Sequence, residues 1–370
     1  MTVRSFARER LIAELAVQRV SALTRRVLSS AINRRRNSQI SKSDASPVTV
    51  ADFAVQALII SAVHAAFPDD GIVGEEDARA LRQDPELARQ VWELVSTTRL
   101  DEDAECDALL AAPRSIDELC ELIDLGGRGA GGRTGRFWCL DPIDGTASFV
   151  KNQQYAVSLA LIEDGREVLG VLGCPNLKLA DGAERVRETC VDEEGMGLML
   201  SAVRGHGAIM RELGRGALLA PTRIDRRVPA GAKGAAVVEL KDLHFIDSTL
   251  STATLSEKVH KLAETAGAPY PGTEIFSSHM RYAALILGGR EHVQVRFPAA
   301  RQPRWCIWDH AGAQLIYTES GAGKITDLHG RLIDFGKGRD LSGSYGIVAA
   351  DESVHGKILE LATRMLETDR

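Results

Sequence analysis

The stretch Phe137-Trp138-Cys139-Leu140-Asp141-Pro142-Ile143-Asp144-Gly145-Thr146 decides the reading of the chain. It starts as an apolar strand and ends with two aspartates three positions apart. Pro142 fixes one φ angle and Gly145 permits a tight approach, so a turn of backbone can bring both carboxylates to one point. Hard oxygen donors of this kind suit Mg²⁺, which asks for octahedral oxygen and keeps exchangeable waters. Gly145 and Thr146 are expected to open a helix, whose free N–H groups favour a phosphate. A bare Asp-x-x-Asp is more often a helix-capping turn. The whole hexapeptide, placed after Phe-Trp-Cys-Leu, favours the ligand role.

Strands continue downstream. Tyr155 to Glu163 and Val168 to Leu172 read as a pair around the turn Asp164-Gly165, and 197–212 as a hairpin around Gly205 and Gly207. Residues 254–266, 279–288, 309–318 and 352–367 read as helices, and 292–297 as a strand. Upstream, residues 5 to about 31 carry apolar positions at helical spacing, and Asn37 to Pro47 read as a loop. In the next helix Phe53, Ala57, Ile60, His64 and Phe67 form one apolar face. The glycine-rich loop Gly126 to Gly135 lacks the strand before it and the Gly-Lys-Ser/Thr after it that a phosphate cradle needs.

Composition bounds the rest. With 370 residues, two lobes are expected, 1–175 and 176–370, meeting near Cys174-Pro175-Asn176. Hydrophobic residues make up 44% and aromatics only 5%, so the interior is filled mainly by aliphatic side chains. A net charge of −6 gives no global attraction to nucleic acid or an anionic membrane, so no polymeric nucleic-acid partner is expected. The N-terminus lacks a continuous apolar segment and reads as a helix, not a signal peptide. No run of 18 uninterrupted apolar residues occurs, so no bilayer-spanning helix and no membrane partner are expected. Six scattered cysteines without a Cys-x-x-Cys pair read as reduced thiols of a cytoplasmic protein.

Three further acidic segments say little alone. Gly74-Glu75-Glu76-Asp77 is a solvated turn by itself, and Thr49-Val50-Ala51-Asp52 resembles a capping box. Trp308-Asp309-His310-Ala311-Gly312-Ala313 sets an aspartate among small residues that let a helix pack closely. Together with the hexapeptide, these segments resemble the lithium-sensitive, magnesium-dependent phosphatases related to inositol monophosphatase. The match runs through Trp138 to Phe149 and through Trp308 to Ala322 and covers nearly the whole chain. Within that family the chain is most similar to fungal and plant 3'(2'),5'-bisphosphate nucleotidases. The supporting segments are Ser46 to Asp52, Gly132 to Trp138, Gly173 to Leu177, Ala202 to Gly205 and Leu332 to Gly336.

The resemblance implies a layered α/β sandwich of two lobes, the sugar-phosphatase fold. It implies two to three Mg²⁺ ions: the first on Glu75, Asp141 and the Ile143 carbonyl, the second on Asp141, Asp144 and Asp309, and a weaker third on Asp52 and Glu75. Thr146, paired with Asp52, is to orient and deprotonate a water. Gly145, Thr146, Ser278, His279, Arg281 and Arg296 are the implied substrate-binding residues. The substrate so implied is a small phosphate, foremost adenosine 3',5'-bisphosphate, handled by a monomer or homodimer. Arg281 stands where the branch has Lys, and Ala147-Ser148 replace its Lys-Gly, so an inositol phosphate or another metabolite phosphate remains an alternative. A catalytically silent regulator of the same fold is a third.

Overall fold

The computed structural model describes residues 4–36, 47–182, 184–226, 237–249, 251–299 and 305–367. Most of the expected loop Asn37 to Pro47, and Ser46 of the supporting segment, lie outside them. The chain opens with helices α1 (Ala7–Arg36) and α2 (Pro47–Ala66). It continues through β1 (Gly71–Gly74) into four helices, α3 (Arg79–Gln83), α4 (Pro85–Thr97), α5 (Ala104–Ala108) and α6 (Ile116–Arg128). Strand β2 (Arg136–Asp144) and the short α7 (Thr146–Val150) follow, then β3 (Ala156–Glu163), β4 (Arg166–Cys174), β5 (Leu198–Val203), β6 (Gly207–Glu212) and β7 (Thr222–Ile224). These seven strands form one sheet in chain order, antiparallel except for the parallel pair β1 and β2.

A second sheet is built from β8 (His244–Asp247), β9 (Thr273–Glu274), β10 (His292–Arg296), β11 (Lys324–Thr326) and β12 (Ile347–Ala350), in the order β11-β12-β10-β8-β9. Its helices are α8 (Ser256–Ala266), α9 (Ser278–Leu287), α10 (Ala313–Glu319) and α11 (Glu352–Glu367).

Side-chain alternation along the strands sorts the interior into layers. Trp138, Leu140, Leu159 and Leu161 point to α1 and α2, whereas Phe137, Cys139, Ala160 and Ile162 point to α9 and α10. On the second sheet Ile347 and Ala349 face that same middle layer, and Val348 and Ala350 face α8 and α11. Because both faces of the large sheet are covered, β3 is an almost unbroken buried run instead of an alternating one. The stacking is α-β-α-β-α.

Three expectations change. The boundary near Cys174 falls between β4 and β5, which are hydrogen-bonded neighbours; the break between sheets comes after Ile224. Helix α2 is buried nearly all round, not on one face, because α1, α4, α6 and the sheet enclose it. Its window Thr49–Ala66 has mean hydropathy 1.5, which by length and composition could cross a bilayer, and 78% of it is buried within the protein. Finally, the helix expected from 309 starts only at Ala313: Ile307–Asp309 form a single 3₁₀ turn and Gly312, at φ +83°, interrupts the chain between them.

Candidate active site

Two aspartates three positions apart on a regular strand would point to opposite faces. The pairing of β2 with β3 removes the problem. Asp141 lies opposite Ser158 and Asp144 opposite Ala156, so β2 carries one extra residue there. This bulge turns both carboxylates to one side. Next to them, the parallel pairing of Gly74 with Leu140 sets Glu75 beside Asp141.

Asp309 arrives from the other end of the chain. Its loop is fastened to the large sheet: Ser158 Oγ donates to the Ala311 carbonyl at 3.3 Å, and the Gly312 N–H donates to Glu167 Oε1 at 2.7 Å. A Cβ on Gly170 would come within 2.4 Å of the Gly312 carbonyl oxygen, so only glycine lets α10 dock this closely. The result is a cluster in which one ligand atom from each of Asp141, Asp144 and Asp309 lies within 4.8 Å of the others.

Electrostatics mark this as an anionic pocket short of counter-charge. Burial, then the charges of Glu75, Asp144 and Asp309, hold Asp141 well above the usual carboxylate range. Burial and then Asp144 push Asp309 up to about 7, with Arg296 and Arg281 pulling the other way. Glu75 is pushed up to about 7 by burial first, then by Glu76, Asp309 and Asp144. On α2, burial and then Glu76 and Glu75 hold Asp52 well above its ordinary value. Asp141 Oδ1 is buried and has no hydrogen-bond partner among the described residues. Converging hard oxygens, like-charge repulsion and an orphaned carboxylate oxygen fit a divalent cation. Glu75, Asp141, Asp144 and Asp309 are the side chains that could hold it.

The substrate side departs from expectation in detail. Gly145, at φ +91°, caps α7, and a Cβ there would come 2.8 Å from Ser277 Cβ. That closeness lets α9 reach Asp144, whose Oδ2 accepts from the Ser277 hydroxyl and, at 2.6 Å, from the His279 N–H. The His279 ring donates from Nε2 to the Trp308 carbonyl at 2.7 Å, and burial keeps it neutral. His279 is therefore a strut between the Asp144 and Asp309 segments, not an open ligand-binding group. Arg281 is engaged as well: it donates to the carbonyls of Ile275 and Phe276 and to Ser278 Oγ, each at 2.9 Å. Its guanidinium braces the turn before α9, and Ser278 is its acceptor.

Arg296 differs. Its Cζ lies 4.9 Å from the centre of the Trp305 ring, and its guanidinium makes no hydrogen bond to the other described residues. Thr146 Oγ1 donates to the Ile143 carbonyl at 3.4 Å, and among the described residues the expected bond to Asp52 is not made. One residue that sequence reasoning passed over holds the Glu75 loop. Gln56, one turn after Asp52, accepts from the Glu76 N–H at 3.0 Å and donates to the Glu76 carbonyl at 2.7 Å. Only its i+4 spacing from Asp52 hints at this.

The chain matches the inositol monophosphatase family over residues 8–367. It is 37% identical over 367 residues to a protein of Emericella nidulans named 3'(2'),5'-bisphosphate nucleotidase, covering 98% of this chain and 99% of that one. A protein of Schizosaccharomyces pombe with the same name is 34% identical, covering 99% and 98%. Among solved structures, the inositol monophosphatase of Anabaena (Nostoc) superimposes with a TM-score of 0.56 at 14% identity, over 98% of this chain and 97% of that one, a likeness of fold. Match length, identity over the full chain and shared architecture agree: this chain belongs to the inositol monophosphatase family.

Proposed function

We propose that the chain is a magnesium-dependent phosphomonoesterase that converts adenosine 3',5'-bisphosphate to AMP and phosphate. The observation that carries the chemistry is the convergence of Asp141 and Asp144, at the end of β2, with Asp309 from a distant segment. The nucleotide assignment is supported by full-length relatives that bear the nucleotidase name.

Glu75, Asp141, Asp144 and Asp309, with the Ile143 carbonyl and Asp52, would hold two to three Mg²⁺ ions. Bound there, such ions supply charge neutralisation for the phosphoryl oxygens and a more acidic water. The protein's own groups do the rest. Asp52 is the base that takes the proton of the attacking water, and the Thr146 hydroxyl orients that water. Arg296, a planar fork held over Trp305, binds an anionic oxygen of the substrate. Arg281 and His279 keep α9 and Asp144 in place for it. A cytoplasmic location is supported by six unpaired cysteines.

The test is phosphate release over a substrate panel with and without Mg²⁺. Adenosine 3',5'-bisphosphate is to be the preferred substrate, with turnover lost to a chelator. Preference for an inositol phosphate would replace the nucleotide, and failure to turn over any member would favour a silent scaffold.

A further inference from the structure

Arg339 stands outside every motif noted in the sequence, yet it touches both sides of the acidic cluster. Its Nη2 donates to the Gly74 carbonyl at 2.8 Å, directly before Glu75. Its Nη1 donates to the carbonyls of Gly126 at 2.9 Å and Gly129 at 3.1 Å, at the C-terminal end of α6. The face of the same guanidinium covers the Trp308 ring, with Cζ 4.6 Å from its centre, directly before Asp309. The backbone adds a fifth tie, since the Ile307 N–H donates to the Arg339 carbonyl at 2.8 Å.

One planar cation thus spans the Glu75 segment, the end of α6 and the Asp309 segment, which lie 265 positions apart in the case of Gly74 and Arg339. Arginine is well made for such a bridge, because its in-plane donors reach several carbonyls while its flat face stacks on an indole. A helix C-terminus further favours a cation through its unsatisfied carbonyls. The end of α6 has little room to drift, because a Cβ on Gly129 would come 1.6 Å from the Ile72 carbonyl oxygen.

We propose that Arg339 is a positioning residue that sets the spacing of Glu75 against Asp309 and thereby the affinity of the acidic cluster for a divalent cation. This rests on the cluster being a cation site, as proposed above. Charge and geometry give opposite signs here. A cation near an anionic site weakens metal binding by repulsion, so loss of Arg339 as a mere charge would tighten it. Loss of Arg339 as a brace loosens it.

The test is calorimetric titration of the full chain with Mg²⁺ and Mn²⁺, which needs no turnover, together with thermal unfolding to establish that each variant is folded. Arg339→Lys keeps the charge but cannot hold three carbonyls and stack at once; its affinity is expected to fall several-fold. Arg339→Met keeps the stem and is expected to lose about 10- to 100-fold, the range for partners that orient metal ligands. At saturating metal the KM for substrate should stay within about twofold of wild type in Arg339→Lys, as expected for a residue acting through ligand spacing. Unchanged affinity in Arg339→Lys, or tighter binding in Arg339→Met, overturns the proposal while leaving the cation site standing. If Arg339→Met does not fold, the lysine variant decides alone. A wild-type chain that binds neither ion removes both the site and the brace.

Discussion

Asp144→Asn should invert its effect on stability depending on the cation. The change keeps an acceptor for the Ser277 hydroxyl and the His279 N–H, so the anchoring of α9 survives. It removes one of three charges whose ligand atoms lie within 4.8 Å. At an effective dielectric of about 20, each like-charge pair at that distance costs about 3 kcal/mol. Part of this is already relieved by proton uptake, because Asp309 and Glu75 are pushed up to about 7. The net gain of the variant without a cation is therefore about 1–2 kcal/mol. With Mg²⁺ at about 100 times its Kd, wild type gains about 2.7 kcal/mol. The variant, lacking a ligand, forgoes most of it. Urea unfolding at pH 7, followed by far-ultraviolet circular dichroism, should rank the variant above wild type in chelator and below it in Mg²⁺. Phosphate release should fall by more than the ~10- to 100-fold typical of losing an outer partner. A variant less stable than wild type in chelator, or one with the same Mg²⁺-induced gain, would refute the reasoning.

Gly170→Ala places a Cβ 2.4 Å from a backbone oxygen that no side-chain rotation can move, so α10 and the Asp309 loop must shift. We expect a loss of about 1–3 kcal/mol in urea unfolding together with reduced turnover; an unchanged midpoint would show that the contact is not tight. Glu167, buried beneath Gly312, is pushed up to about 7 by burial. A carboxyl raised in the folded state adds stability below its unfolded pKa and loses it as pH rises from about 4.5 through 7. Glu167→Gln at saturating Mg²⁺ should flatten that decline by up to about 3 kcal/mol at pH 8, and parallel stability–pH curves would contradict it. Since Glu75 and Asp309 are held near 7 without a cation, Mg²⁺ uptake at neutral pH should release protons. Calorimetry in buffers of different ionisation heat measures this, and a buffer-independent heat would refute it.

Asp141 and Asp144 were legible because Pro142 and Gly145 announce a special turn at the end of an apolar strand. That they converge through a bulge against β3 was not, since an extra residue shows only relative to its partner strand. Glu75, Asp52 and Asp309 had no signal of their own and entered only through the family likeness. Helix α10 was placed too early because periodicity runs through Gly312, whose positive φ is visible only in three dimensions. Arg281 and His279 are substrate groups only by the family likeness of the stretch Ser278 to Arg281. The carbonyls of Ile275, Phe276 and Trp308 that occupy them belong to loops brought near by folding. Gln56 and Arg339 escaped for the same reason: both grip backbone, which carries no sequence signature.

The bonds from Asp144 to α9, and from the His279 ring onward to the Trp308 carbonyl, tie the end of β2, the middle helix layer and the Asp309 segment together at the acidic cluster itself. Segments tied at the site itself resist being drawn apart. A substrate that forced these segments apart would have to break those bonds first, so its size and charge must suit the spacing they set. Changing what the enzyme accepts therefore calls for recarving the rim, because loosening the walls would undo the catalytic centre first.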